Sequence, residues 1–445
     1  MTTLKIPLEA PEFHKLFQEI DSDQLRRIFS EDIKPCHSGK YLHWDDLRHH
    51  TPPEGLSHRE WWFGIKFSRV NMAHPLPLED ANGRAFTYSM PDPVLERVHK
   101  IDQRASGRIE ISELVTNPST RDRYVISSLM EEAITSSQLE GATTSRLVAK
   151  EMIRSGRPPR DKSERMILNN YYAMAFVRQH QREKITPELI RELHRIVTDR
   201  TLDDPKAAGR LQSPDEKRVQ VVSSQGEVLH TPPPAEQLPK RMEALCRFAN
   251  GEEPEEFLHP VIRAIIVHFW LAYDHPFVDG NGRTARALFY WSMLRHGYWL
   301  AEFVAISKIL TNAPSQYARA YLYSETDSRD TTYFVLYNLR VIIRAIEELH
   351  QYLRRKMSEV QKIEGLLKDK TEFNRRQLDL LGHALRNPGA IYTVESHRSS
   401  HNVTKQTSRT DLQKLEKRKL LARGMLGKAY YFVSPEDLPE RLRNL

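Results

Sequence analysis

Cysteine is scarce in this chain: Cys36 and Cys246 are the only two among 445 residues. Two thiols so far apart in sequence give no disulfide framework, and they fit a reducing compartment. Nor is there a long hydrophobic run. No stretch approaches the roughly 18 uninterrupted apolar residues of a membrane span. The N-terminus, Met1-Thr2-Thr3-Leu4-Lys5-Ile6-Pro7, lacks the apolar segment of a secretory leader. No His/Cys cluster has metal-ligand spacing. Charge of one sign is not in great excess either, since 66 basic residues against 59 acidic ones give +7. Residues 371–445 hold 14 Lys+Arg against 8 Asp+Glu, so much of that surplus is C-terminal. These absences leave a soluble cytoplasmic protein of about two to four domains, with no membrane partner.

Against that background one segment stands out: His275-Pro276-Phe277-Val278-Asp279-Gly280-Asn281-Gly282-Arg283-Thr284-Ala285-Arg286. Before it, Val261 to Tyr273 is apolar at helical spacing, interrupted by Arg263 and His268, and reads as a buried core helix. After it, Thr284 to Trp291 reads as helix again. Pro276 suits a position just past a helix end, having no N–H to give. Gly280 and Gly282 flank Asn281 and let a ligand approach the backbone. Successive N–H groups leading into a helix make a nest for an anion. Residue type then suggests roles. His275 titrates near neutrality and can take a proton from a hydroxyl. Asp279 is a hard oxygen ligand suited to Mg²⁺ on phosphates. Arg283 and Arg286 share a helix face and can hold phosphate oxygens. Phe277 is expected to point inward and pin the loop. Asp-Gly-Asn-Gly alone would fit a hairpin turn, or part of a calcium loop, but no regular series of carboxylates follows.

The whole segment resembles the core motif of the Fic family, HPFxDGNGRxxR, at every fixed position. The resemblance implies transfer of a nucleotide monophosphate, usually AMP from ATP, onto a protein hydroxyl. It implies His275 as the base, Asp279 as the Mg²⁺ ligand, and phosphate contacts from Gly280, Asn281, Gly282 and Arg283. Arg286 would reach the γ-phosphate. No residue that reads the nucleotide base is identifiable, so the donor beyond ATP stays open.

A second segment, Glu131-Glu132-Ala133-Ile134-Thr135-Ser136-Ser137-Gln138-Leu139-Glu140-Gly141, reads as a helix end with Gly141 as its left-handed cap. Ser136, Glu140 and Gly141 also resemble the inhibitory motif of Fic proteins that carry it before the catalytic core, here about 121–141. That resemblance implies pairing of Glu140 with Arg286, which withdraws the cation needed by the triphosphate.

Elsewhere the signals are weaker. Val219 to Val222 and Val228 to His230, around a polar Ser-Ser-Gln-Gly-Glu turn, read as a β-hairpin. In the family such a flap docks the target by strand addition, which would involve Val219, Val221, Val228 and His230. An ordinary surface hairpin fits the same residues. Asn169-Asn170-Tyr171, His194 and His268 read as helix packing. Residues 1–90, rich in aromatics and histidine, form a small mixed region, with Asn82-Gly83 as a hairpin turn before a Phe86-Thr87-Tyr88 strand. Helical pattern dominates 91–369, ending in a long helix from Tyr333 to about Leu367. In 370–445, helices at 375–385, 394–400 and 404–415 precede a two-stranded wing, an order that resembles a winged helix. There Lys405, Gln406, Ser408 and Arg409 would face a DNA groove, with Arg423 and Lys428 on its backbone. Packing or dimerisation is the plainer use of such a module, and no residue pattern specifies a homodimer.

The expected fold is thus mainly α: a Fic-type helical core with a β-hairpin flap, a mixed N-terminal region and a C-terminal winged helix. The expected activity is self-inhibited transfer of AMP to a Ser, Thr or Tyr hydroxyl of a target protein or of the chain itself. Two alternatives stay open: a hydrolase that removes AMP by way of Glu140, and a DNA-binding regulator with a nucleotide-sensing core.

Overall fold

A computed structural model of the chain describes residues 5–105, 118–223, 225–368, 370–387, 389–426 and 429–444. Four helices open the chain: α1 (Phe13–Glu19), α2 (Ser22–Ser30), α3 (Trp44–Leu47) and α4 (His58–Val70). A hairpin of β1 (Ala73–Glu79) and β2 (Ala85–Ser89) follows, then α5 (Asp92–Ala105), α6 (Pro118–Leu139), α7 (Arg146–Ser155), α8 (Lys162–Gln179) and α9 (Pro187–Thr198). A second hairpin, β3 (Val221–Val222) and β4 (Val228–His230), precedes α10 (Leu238–Ala249), α11 (Pro260–Asp274), α12 (Asn281–Arg295), α13 (Ile306–Thr311), α14 (Pro314–Thr326) and α15 (Thr332–Leu367). The C-terminal run is α16 (Arg375–Arg386), β5 (Ile391–Thr393), α17 (Val394–His401), α18 (Lys405–Lys417), β6 (Ala422–Leu426), β7 (Ala429–Val433) and α19 (Leu438–Arg443). The chain forms two compact units, residues 1–349 and 350–445. Among the described residues no helix is long and apolar enough to cross a membrane.

The centre of the first unit is the antiparallel pair α11 and α12. Pro260 occupies the first turn of α11, where its missing N–H costs nothing, and nearly every side chain from Val261 to Asp274 is buried. The polar interruptions seen in the sequence are satisfied locally. The Arg263 guanidinium donates to the carbonyls of Phe248 and Glu253, and His268 Nε2 bonds the Tyr317 hydroxyl at 2.8 Å. Asn169 on α8 donates to the carbonyls of Val197 and Asp199 at the end of α9.

The N-terminal region joins the core through aromatics and charge. Trp61, Trp62 and Phe63 of α4 pack with Leu16 and Ile28. Beyond them, Lys66 Nζ meets Asp327 Oδ1 at 2.8 Å, with the two side chains 6% and 0% exposed. The Arg69 guanidinium lies 3.5 Å over the Tyr41 ring, and the Tyr41 hydroxyl bonds Asp330. His43 stacks on Tyr323 of α14 with centroids 4.3 Å apart. Burial works against the Asp327 charge, but Lys66 and Arg69 hold its carboxyl below the usual range.

In the second unit, Leu380, Leu381, Leu412, Leu415 and Phe432 share one core. Its sheet has three antiparallel strands in the order β5-β7-β6. The sequence indicated only the two of the wing, because β5 is three residues long and runs directly into the Thr393 cap of α17. Ser408 is not a surface reader. It is fully buried, and its hydroxyl donates to the Val394 carbonyl at 2.6 Å, fastening α18 to α17. Lys428 lies outside the described residues.

Asp327→Ala leaves Lys66 as a buried, unpaired cation, and a loss of about 3–5 kcal/mol is expected. The urea midpoint of unfolding measures it. Adding Lys66→Met to the same chain restores a substantial part, because the stranded charge is then gone.

Candidate active site

The loop between α11 and α12 is braced on all sides. His275 ends α11 in the left-handed conformation (φ 46°), its N–H still bonded to the Leu271 carbonyl at 3.0 Å. A non-glycine residue there costs about 1 kcal/mol and persists only where its surroundings enforce it. Arg218 enforces it, donating to the carbonyls of Asp274 at 2.7 Å and His275 at 3.2 Å, oxygens the helix end leaves over. The Asp274 carboxylate is buried and takes Arg241 at 2.7 Å and the Trp270 indole at 2.9 Å. Asn281 closes the loop on itself: its Oδ1 accepts from the Phe277 N–H at 2.9 Å and its Nδ2 donates to the Phe277 carbonyl at 2.7 Å. Its amide is therefore spent on shape, and it offers an anion only its backbone N–H.

Phe277 is fully buried and stacks on His194, centroids 3.7 Å apart at 9°. His194 Nδ1 accepts from the Gly209 N–H at 2.9 Å, so Nε2 carries the proton and donates to the Asp279 carbonyl at 2.8 Å. The sequence had His194 only as packing. It is packing, and it also fixes the loop backbone. Gly280 has φ 80°, and a Cβ there would come within 2.7 Å of Thr198, so glycine alone fits. Immediately after it the N–H groups of Asn281, Gly282 and Arg283 open α12 without intrahelical partners.

The two arginines differ in state. Arg283 is buried, and Nη1 donates to the Val197 carbonyl at 3.2 Å. Among the described residues its Nε and Nη2 have no hydrogen-bond partner, and the nearest carboxylate, Asp279, is 3.6 Å from Nη2. Burial draws its pKa down, against the pull of Asp279. Arg286 is satisfied: Nε donates to the Ser136 hydroxyl at 2.8 Å, and Nη2 to the Ser136 carbonyl at 3.0 Å and to Glu140 Oε1 at 2.7 Å. Burial alone would lower its pKa, but Glu140 raises it instead. Glu140 also lies over the first turn of α12, where a Cβ at Gly282 would run into its carboxylate. Gly141 (φ 91°) turns the chain away directly afterwards. One helical turn and more upstream, Glu132 pins α6 by accepting from the Tyr290 hydroxyl at 2.8 Å and the Ser307 N–H at 3.0 Å.

His275 is held down to a pKa of about 4, first by burial and then by the neighbouring His230. It is neutral at neutral pH. Nδ1 faces the Ala272 carbonyl at 3.4 Å, which leaves the Nε2 lone pair to accept a proton. Asp279 is exposed, with Oδ1 on the Gly280 N–H at 2.5 Å. Among the described residues no three His, Cys, Asp or Glu side chains cluster as metal ligands. A lone carboxylate beside a phosphate nest still fits Mg²⁺ that arrives on a nucleotide, since such an ion needs only one or two protein carboxylates.

His275, Gly282, Arg286 and Glu140 line a cavity of about 220 Å³ with Tyr317 and Tyr321 of α14. From the hairpin, Val221 and His230 reach it, whereas Val219 and Val228 do not. The strands pair Val221 with His230 and Val222 with Val228, and Val222 and Val228 are exposed. His230, expected on the docking edge, is turned inward and buried, with both ring nitrogens engaged within the protein. Arg218, Glu325 and the tyrosines of α14 were not identified from the sequence. Each acts through a contact distant along the chain, and no local pattern marks it.

A mainly helical protein with a buried helix–loop–helix at its centre is thereby defined. Residues 184–293 match the Fic domain of the Fic/DOC family. Over 208 residues the chain is 31% identical to the protein adenylyltransferase Fic of Nematostella vectensis, covering 46% of this chain and 45% of that protein. Over 118 residues it is 38% identical to the protein adenylyltransferase Fic of Drosophila melanogaster, covering 26% of this chain and 22% of that one. A crystal structure of a Fic family protein from Desulfovibrio desulfuricans G20 shares the fold, with TM-score 0.51 and 18% identity over 78% of this chain and 97% of that chain. Over these residues the chain is similar to Fic proteins in sequence, and it shares their fold. It spans less than half the length of the curated relatives it matches.

Burial lowers the pKa of His43, His194 and His275 to about 4 and that of His268 to about 3. The unfolded chain, with histidine near 6.5, takes up protons first as pH falls, so these groups make stability rise with pH. The contribution present at neutral pH should decline from about pH 6.5 toward pH 4. Urea midpoints across that range measure it, and NMR titration should find His275 still neutral at pH 6.

Proposed function

We propose that this chain transfers AMP from ATP to a Ser, Thr or Tyr hydroxyl of a target protein, or of itself, and that Glu140 holds the activity in check. The observation that carries the reading is the pairing of unmet and met demand for anion in one site. Among the described residues Arg283 has two buried nitrogens, Nε and Nη2, without an acceptor, beside three backbone N–H groups that the first turn of α12 leaves without helical partners, while Arg286 is already occupied by Glu140. A triphosphate supplies what the first set lacks, and its outer phosphate competes with Glu140 for Arg286. The aromatic end of the cavity, at Tyr317 and Tyr321, is suited to a nucleoside. Similarity to proteins named adenylyltransferases supports ATP as the donor.

In this reading Asp279 holds Mg²⁺ brought by the nucleotide, which neutralises phosphate charge. His275 Nε2 takes the hydroxyl proton as the hydroxyl oxygen bonds to the α-phosphorus. The bond from that phosphorus to the bridging oxygen breaks, and pyrophosphate leaves toward Arg283 and Arg286. Withdrawal of Glu140 and binding of the triphosphate are coupled by about 1–3 kcal/mol, the range usual for linked sites. Residues 91–369 would form the catalytic part, with the target along the exposed edge of the hairpin. A cytoplasmic setting accords with two free cysteines, Cys36 and Cys246.

Incubation with α-labelled ATP, Mg²⁺ and a cell lysate tests this. Label on protein should rise about 5- to 150-fold in Glu140→Gly, the scale of the coupling above, and vanish when His275→Ala is added. Labelling that survives the double change overturns the mechanism. Release of AMP from labelled protein that requires Glu140 would instead establish the hydrolytic direction.

A second activity is favoured by the C-terminal unit, whose order of helices and strands is that of a winged helix. On α18, Lys405, Gln406 and Arg409 are exposed and make no ion pair among the described residues, so the face presents free cations to a phosphate backbone. Duplex DNA should bind with an affinity that falls as salt rises, and Arg409→Ala should reduce the log–log slope by about one. Fluorescence anisotropy between low and physiological salt measures this, and no binding at any salt dismisses the DNA reading.

A further inference from the structure

The hairpin beside the cavity is too small to hold itself. It pairs two residues with three, and an isolated two-stranded ribbon is marginal in water. Its last residue, His230, supplies an anchor. Nδ1 lies 2.8 Å from Glu325 Oε2 on α14, and Nε2 lies 2.7 Å from the Tyr273 carbonyl near the end of α11. A carboxylate and a carbonyl can only accept. Neutral imidazole has one N–H to give, so two such bonds require the ring to be an imidazolium. The imidazolium and Glu325 are 8% and 25% exposed at the side chain, so the pair is mostly shielded from water.

Its position matters more than its strength. Three elements that surround one cavity meet at this ring: the hairpin, the end of α11 two residues before His275, and α14 with Tyr317 and Tyr321. Glu325 does not depend on the hairpin for its own placement. Next to it in the chain, Thr326 bonds His43, and Asp327 is fixed by Lys66. Other titratable groups facing the ring are Asp274, held by Arg241, and the neutral His275. A cation at 230 therefore also discourages a second positive charge on His275.

We propose that His230 and Glu325 form a charged clamp that seats the hairpin at the mouth of the site, and that both are positioning residues for the incoming hydroxyl. The inference rests on the transferase reading above. It gives the inward histidine a use that strand addition does not: the exposed edge at Val222 and Val228 receives the target, and the clamp sets that edge at a fixed distance from His275.

The test uses the full chain carrying Glu140→Gly, with and without Glu325→Gln. Transfer from α-labelled ATP to a degenerate peptide pool centred on Ser, Thr or Tyr gives KM for each substrate. Glu325→Gln should raise the peptide KM about tenfold or more with little change in the ATP KM, since it misplaces the acceptor and not the donor. A parallel rise in both means general damage to the site and overturns the proposal. Nitrogen-15 NMR of the histidine rings is the second readout. His230 should carry protons on both nitrogens at pH 7 in the wild-type chain, and the Val222 and Val228 amides should exchange faster in Glu325→Gln. A neutral His230 ring in the wild type overturns the clamp even if the variant fails to fold. Absence of transfer by Glu140→Gly alone would count against the transferase reading, while the ring and exchange measurements would still decide the clamp.

Discussion

A guanidinium taken out of water must find an anion, and this requirement at Arg286 organises the site around it. Desolvating an ion costs several kcal/mol even after the protein relaxes. The side chain is buried on α12, a helix with scarcely an exposed residue, so it cannot turn back to solvent. Ser136 and Glu140 meet the demand from a helix some 150 residues earlier in the chain. That helix is held in turn by Glu132 against Tyr290 and Ser307. Arg283, three residues away and just as buried, is left with unmet donors. One arginine is thus satisfied from within the chain, and the other waits for something from outside.

The remainder of the unit keeps this arrangement rigid. Three braces on the loop between α11 and α12 are hydrogen bonds to backbone: Arg218 on the end of α11, Asn281 on Phe277, His194 on Asp279. Backbone contacts fix the path of the chain whatever the side chains do, so the N–H groups opening α12 keep one direction. Rigidity of this kind lets electrostatic stabilisation work without reorganisation at the moment of reaction. The N-terminal region belongs to the same scheme. Its buried Lys66–Asp327 pair and the His43–Tyr323 stack grip the last turn of α14, whose other residues line the cavity.

How much of this could be read from sequence depended on the range of the interaction. The loop was legible because its groups are adjacent in the chain, and glycines at 280 and 282 restrict what the backbone can do. The helix carrying Ser136 and Glu140 was legible only beside that loop. His194, Arg218 and Glu325 were not, since each acts on a backbone group or side chain remote in sequence, and such pairs leave no periodicity. His230 was expected on the docking edge from the family resemblance, yet its bonds to Glu325 and the Tyr273 carbonyl turn it inward. Ser408 likewise looked like a groove reader until its hydroxyl proved to be the joint between two helices. Residues 1–90 were hardest, because their aromatic core is completed by Tyr323 and Tyr333, hundreds of residues away.

Gly282 carries one more consequence. The space where its Cβ would stand is filled by the carboxylate of Glu140. In the proposed reading, the seat for phosphate and the resting place of the opposing carboxylate therefore share the same small volume. Neither can be enlarged without unsettling the other. A methyl group at position 282 would therefore push the carboxylate aside, and even without the carboxylate it would crowd the Arg286 guanidinium and any anion seated there.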